Sequence, residues 1–197
     1  MKIYLYAMLF LVSTHTSFAV SNNAKAPNFK LSGHDGKTYS LSQFKGKHVV
    51  LEWYNDDCPY VDKHYESSNM QNLQKEFTKK GVVWLSIISS APGKQGHVDQ
   101  EGATKLVKQR QSAPTAVLLD PKGVVGRQYN AQTTPHMYVI APSGKLVYQG
   151  AIDDKPSANP KSLKTASPWF KNALLASMNG KKIENGSTSP YGCSVKY

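Results

Sequence analysis

The chain holds two cysteines, Cys58 and Cys193, and their surroundings are the part of the sequence best suited to chemistry. Cys58-Pro59 lies between a largely apolar run, His48-Val49-Val50-Leu51-Glu52-Trp53-Tyr54, and a stretch, residues 60–80, free of glycine and proline. A thiol between a strand and a helix faces unpaired backbone N–H groups and the positive end of the helix dipole, which favour the thiolate. Pro59 suits the first helical position, where a missing N–H donor costs nothing. Asp56 and Asp57 oppose ionisation by like-charge repulsion, so the sequence leaves the balance open. A buried, inert cysteine is the competing reading.

Cys193 lies in a tail, residues 185–197, that shows no periodicity and reads as mobile. A thiolate at Cys58 could attack a disulfide or a peroxide, with Cys193 as resolving thiol. A structural or intermolecular disulfide is the alternative for Cys193. Glu52 is an acid in the middle of an apolar strand. Burial would raise its pKa and make it a proton-transfer candidate, and the alternative is a partnered edge residue. Thr133-Thr134-Pro135-His136 precedes another strand. Cis X-Pro bonds are uncommon, and this motif read alone favours an ordinary trans proline.

These residues need a scaffold. Phe29 to Tyr39, with a turn at Asp35-Gly36, reads as an N-terminal hairpin followed by a short turn capped by Ser40. The run ending at Tyr54 reads as a strand buried on both faces. The spacing of Tyr65, Met70, Leu73 and Phe77 predicts one helix over 60–80, ended by Gly81. Residues 82–88 form the next buried strand, and strand–helix–strand in that order predicts a right-handed parallel unit. A polar helix over 97–109 and a third strand over 115–119 follow. A terminal antiparallel hairpin comprises residues 137–140 and 146–150, and a last helix 169–178. The fold class is α/β.

The N-terminus carries Lys2, an apolar run over residues 3–12, and Ser17-Phe18-Ala19. This predicts a secretory signal peptide over 1–19, a domain over 20–184 and the Cys193 tail over 185–197. An apolar run of that length falls short of the roughly twenty residues that span a bilayer, so stable membrane insertion is not expected. The net charge of +11 comes from scattered lysines without a basic helix or zinc pattern, so no nucleic-acid partner is expected. Two cysteines in an exported chain permit one disulfide.

Ala26-Pro27-Asn28-Phe29, Gly36-Lys37 and Leu41-Ser42-Gln43-Phe44-Lys45-Gly46-Lys47 resemble the opening of the redoxin (AhpC/TSA) family, the peroxiredoxin-like branch of the thioredoxin superfamily. Glu52-Trp53, Cys58-Pro59-Tyr60-Val61 and Thr134-Pro135-His136-Met137 continue the resemblance. It implies a thioredoxin-like fold, a central mixed sheet flanked by helices, with Thr134-Pro135 as a cis-proline loop beside Cys58. It also places Glu52 where thioredoxins carry a buried acid. The candidate catalytic residues are therefore Cys58, Cys193 and Glu52, and the candidate substrate-binding residues Pro59, Thr134 and Pro135. Val61 replaces the second cysteine of Cys-x-x-Cys. Leu51 and Asn55 stand at the Pro and Thr/Ser places of the peroxiredoxin pattern Pro-x-x-x-Thr/Ser-x-x-Cys counted to Cys58, whereas on a thioredoxin-fold alignment the peroxidatic cysteine falls instead at Val61.

The expected function is an exported thiol-dependent oxidoreductase working by disulfide exchange or by peroxide-linked antioxidant activity. No cofactor is expected, and the partners are a thiol/disulfide protein, a small thiol reductant or peroxide. Two other readings stand beside it. Copper binding could draw on Cys58, His64, His136 and Met137, soft or borderline ligands suited to copper(I). A non-catalytic binding domain that kept the fold is the other.

Overall fold

A computed structural model describes residues 20–197. The signal-peptide reading of residues 1–19 lies outside them. In chain order the main elements begin with β1 (Lys30–Gly33), β2 (Thr38–Ser40), a short 3-10 turn over Leu41–Phe44, and β3 (Val49–Trp53). Next come α1 (Pro59–Glu66), α2 (Asn69–Lys79), β4 (Val83–Ile88), α3 (Gln100–Gln109), β5 (Ala116–Leu119) and α4 (Val124–Gln128). The chain continues through β6 (Thr133–Thr134), β7 (His136–Ile140), β8 (Leu146–Gly150), α5 (Trp169–Met178) and β9 (Cys193–Ser194).

The main sheet has the order β2-β1-β5-β4-β3-β7-β8. Its centre is parallel, β3 against β4 and β4 against β5, while β7 and β8 close one side antiparallel and the β1–β2 hairpin closes the other. The sheet is mixed and flanked by helices, as the sequence implies. Strands β3 and β4 are buried at every position, as expected where both faces are covered. Alternation then sorts their side chains. Val50, Trp84 and Ile88 join Phe77, Met70 and Phe170 in one core, and Val49, Leu51, Trp53, Leu85 and Ile87 join Tyr129 and Tyr138 in the other.

Three local expectations change. The single helix over 60–80 is two helices, because Ser67 Oγ donates back to Lys63 O at 2.7 Å and Ser68 takes a left-handed φ of 57°. A serine hydroxyl that bonds back to the helix carbonyl competes with the ladder and favours a break there. The helix expected from 97 begins at Gln100, since the Asp99 side chain accepts from Gly102 N and caps it. The larger correction concerns residues 185–197, which are not a loose tail. Gln149 N donates to Gly186 O, Thr188 N to Gln149 O, Val195 N to Gln132 O, and Ala91 N to Lys196 O. Tyr197 O–H donates to Ala131 O at 2.8 Å, and the Arg127 guanidinium lies 4.4 Å from the Tyr197 ring centre. The segment is polar and short, but backbone groups at both of its ends pair with the body of the protein.

Candidate active site

Cys58 is the N-cap of α1, in extended conformation, with Pro59 at the first helical position. Its carbonyl accepts from Val61 N and Asp62 N, both at 2.9 Å, and so starts the helix. The side chain is fully buried, and Sγ–H donates to Thr134 O at 3.0 Å. That carbonyl immediately precedes Pro135, and the Thr134–Pro135 bond is cis, against the trans bond that the motif alone favours and in keeping with the family resemblance. Thr134, 2 % exposed, therefore presents its backbone to the thiol. Pro59 and Pro135 frame Cys58 from the helix start and from the loop.

Strand β9 brings in the second thiol. It pairs antiparallel with β6 so that Cys193 stands opposite Thr134, the residue that also bonds Cys58. Both cysteines are free thiols in this structure. Burial pushes the Cys58 pKa up, but the lowering influence of the Cys193 thiol, of Thr134 and of the Cys193 and Val61 backbone outweighs it, and the pKa lies below the ordinary 9.0. Cys193 moves the other way, to about 11, through burial and through donating its own proton toward Cys58. The pair thus holds its first negative charge on Cys58 and its last proton on Cys193.

The two acids that could oppose this are engaged elsewhere. Asp56 meets the Arg110 guanidinium at 2.7 Å and accepts from Tyr54 O–H, and Arg110 also pairs with Asp62 and Glu66. The Asp57 carboxylate accepts from Gly96 N at 2.9 Å. Neutralised or capped, both carboxylates exert less repulsion on a thiolate than bare charges would.

The approach of β9 depends on Gly192. Its φ is +140°, and a Cβ there would lie 2.1 Å from Thr134 O. A Gly192→Ala chain is expected to shift β9 off β6 and slow closure of a Cys58–Cys193 disulfide about ten- to a hundredfold, the size of a backbone strain of this kind. Stopped-flow release of the leaving thiol from a mixed disulfide at Cys58 measures it. An unchanged closure rate would mean that the cysteines meet without this pairing.

Glu52 is fully buried, and register explains its company. In the parallel β3–β4 pair it stands opposite Ser86, so Glu52, Ser86 and Trp84 share one face of the sheet. Its carboxylate accepts from Trp84 Nε1 and Ser86 Oγ at 2.7 Å, Tyr65 O–H at 2.8 Å and Gln74 Nε2 at 3.2 Å. Burial nevertheless raises its pKa above the usual 4.5. No cysteine is among its hydrogen-bond partners.

Of the residues weighed for copper, both histidines have Nδ1 engaged. His64 Nδ1 bonds Asn69, and its Nε2 faces Asp153 Oδ2 at 3.8 Å. The His136 ring bonds Tyr138 O–H and Gln132 N, with its pKa pushed down to about 3 by burial. Among the described residues no group of three or more His, Cys, Asp or Glu side chains is placed to hold a metal ion.

A feature beside the site escapes sequence reasoning. Lys63, fully buried on α1, lies 3.2 Å from Asp153 and donates to Lys155 O and Tyr191 O–H at 2.9 and 3.1 Å. Its partners come from the loop after β8 and from the tail, 90 to 128 residues away, so no local spacing announces the cluster. Glycine at 192 and aromatic residues at 191 and 197 were the available signals that the tail has a fixed path.

Residues 23–149 match the AhpC/TSA family. Chloroplastic peroxiredoxin Q of Triticum aestivum is 31% identical over 141 residues, 61% of this chain and 64% of that protein. Thiol-disulfide oxidoreductase ResA of Bacillus subtilis is 29% identical over 131 residues, 66% of each. The chain thus spans about two thirds of the length of these curated relatives. Among solved structures, the hypothetical protein SMc02350 from Sinorhizobium meliloti 1021 superposes with a TM-score of 0.78 at 21% identity, over 91% of this chain and 96% of that one. The thioredoxin domain of thiol-disulfide oxidoreductase BVU-2223 from Bacteroides vulgatus gives 0.54 at 20% identity, over 75% and 98%. These likenesses concern the fold.

Proposed function

This chain belongs to the AhpC/TSA family, and we propose that it works as an exported thiol–disulfide oxidoreductase with Cys58 as nucleophile and Cys193 as resolving thiol. The observation that carries this reading is the β6–β9 register, which seats Cys193 opposite the residue that hydrogen-bonds Cys58. In the reductive direction the Cys58 thiolate attacks one sulfur of a partner disulfide, forming a mixed disulfide and releasing the partner's other sulfur as a thiolate. The Cys193 thiolate then attacks Cys58 Sγ, closing the Cys58–Cys193 disulfide and releasing the second partner thiolate. Two electrons pass from the dithiol to the partner, and a thiol reductant returns them. The charge division supports the order of events, since the more acidic thiol attacks first.

Disulfide exchange fits these surroundings better than peroxide reduction. Cys58 is bordered by a carbonyl acceptor and a second thiol, while Arg110 is held by three carboxylates and Arg127 by Tyr197. Among the described residues no guanidinium is thus left at Cys58 to polarise an O–O bond. Export rests on the leader pattern of residues 1–19 and would place both thiols in an oxidising compartment. Thr134, Pro59 and Pro135 are the backbone frame that a partner disulfide would meet, and Glu52 is assigned to the buried polar layer beneath.

The test is non-reducing peptide mapping after treatment with a small-molecule disulfide and, separately, with peroxide. One intramolecular Cys58–Cys193 bond, formed faster with the disulfide, is expected. Thiols that stay free in both samples would remove the resolving role, and faster reaction with peroxide would turn the reading to antioxidant activity.

A further inference from the structure

The buried Lys63–Asp153 pair has a third member that belongs to the tail. Tyr191 O–H donates to Asp153 Oδ1 at 2.6 Å and accepts from Lys63 Nζ at 3.1 Å. Its ring packs edge-on against Tyr60 with centres 5.9 Å apart, and Lys63 Nζ lies 5.1 Å from the Tyr191 ring centre. Tyr60 and Lys63 both belong to α1, the helix that Cys58 begins. Tyr191 precedes Cys193 by two residues, so the contact fixes the tail to the nucleophile's own helix just before the tail crosses Cys58. Downstream of Cys193 the tail is fixed by Val195 N to Gln132 O and by Tyr197 O–H to Ala131 O. Between these anchors Cys58 is fully covered. An outside disulfide cannot reach a covered sulfur, yet the resolving thiol is carried by the segment beside it.

Resting on the proposed function above, we infer that Tyr191 is a positioning residue: its bonds to Lys63 and Asp153 form a latch that holds the Cys193 strand over Cys58, and opening of this latch admits the disulfide substrate. The latch acts on the two chemical steps in opposite directions. Closed, it shields Cys58 from the first attack and presents Cys193 for the second. Tyr191→Phe removes both hydrogen bonds to the charged pair while keeping the ring and the Lys63–Asp153 contact. Hydrogen bonds to charged groups are strong enough that their loss shifts such an equilibrium about tenfold.

A chromogenic aryl disulfide reads each step. Cys58 attack releases one aryl thiolate and leaves Cys58 in a mixed disulfide, and Cys193 attack on Cys58 Sγ then releases the second. With Cys193→Ser in both chains, Tyr191→Phe should raise the rate of the single release about tenfold, because the covering strand opens more often. With Cys193 present, the second release should slow by up to the same factor, while the unfolding equilibrium constant in urea should rise by no more than about the same tenfold. A simple loss of stability would not speed one step and slow the other. Tyr191→Ala, which also removes the ring from Tyr60, should move both rates further. Unchanged rates in both variants would overturn the latch while leaving the two-thiol reaction intact. A parent chain that releases only one aryl thiolate would overturn the two-thiol reaction itself.

Discussion

A Cys193→Ala chain is expected to attack a disulfide once and stop. Cys58 would form the mixed disulfide and, without a resolving thiol, the adduct would persist until an outside thiol removed it. Intact-mass measurement after brief exposure to a small-molecule disulfide should find one adduct per chain, where the parent shows none and two fewer hydrogens. Turnover with a thiol reductant should fall by at least about a hundredfold, the loss of an intramolecular step whose effective concentration is high. The alanine chain should also show a higher Cys58 pKa, because the Cys193 thiol is among the groups that lower it. Cys193→Ser keeps a hydroxyl donor and should leave that pKa nearer the parent's, although it too cannot resolve. Cys58→Ser should remove exchange altogether, on the order of a thousandfold or more. Parent-like turnover by the Cys193→Ala chain would show that resolution comes from elsewhere.

The second large effect concerns Glu52. Glu52→Ala would leave Trp84 Nε1, Ser86 Oγ, Tyr65 O–H and Gln74 Nε2 without their common acceptor inside the core. Unsatisfied buried donors cost about 1–3 kcal/mol each when no water replaces the acceptor. A loss of about 3 kcal/mol or more in urea unfolding is therefore expected. Glu52→Gln should behave differently. Its amide oxygen can take the three donors on one side, and its NH2 can face Tyr65. Because burial raises the folded-state pKa of Glu52 above its usual 4.5, the stabilisation linked to its proton is fully present below about pH 4.5 and is lost as pH rises through the folded value. The glutamine chain cannot lose it, so its advantage over the parent should grow with pH across that window. Parallel stability curves for the two chains would contradict this account. The same pair of proteins separates a fold role from proton transfer: a shift in the pH profile of exchange in Glu52→Gln would assign Glu52 to the chemistry.

Local chemistry made much of this site readable. Strand β3 announces itself by four apolar or aromatic residues around one acid, and Pro59 marks the helix start that makes Cys58 unusual. Alternation along β3 and β4 even decides that Glu52 meets Trp84 and Ser86. Other parts depend on contacts that local pattern does not encode. The helix break at Ser67-Ser68 comes from a hydroxyl that bonds back to its own turn, where the apolar spacing simply continues. The tail has no periodicity because it is held one contact at a time, by Thr188, Tyr191, Gly192 and Tyr197, each against a different element. Buried Lys63 looks like an ordinary surface lysine until Asp153 and Tyr191 arrive from far along the chain.

The opposite displacement of the two thiol pKa values has an electrochemical consequence. Below the lowered pKa of Cys58, oxidising the pair releases two protons, and the midpoint potential should fall by about 59 mV per pH unit. Between that value and about 11, where Cys193 still holds its proton, only one proton leaves with two electrons, and the slope halves to about 30 mV. Above it the potential should level off. The span of the half-slope segment thus measures the gap between the pair's first and second ionisations, to which the unequal surroundings of the two sulfurs and the repulsion between two thiolates both contribute.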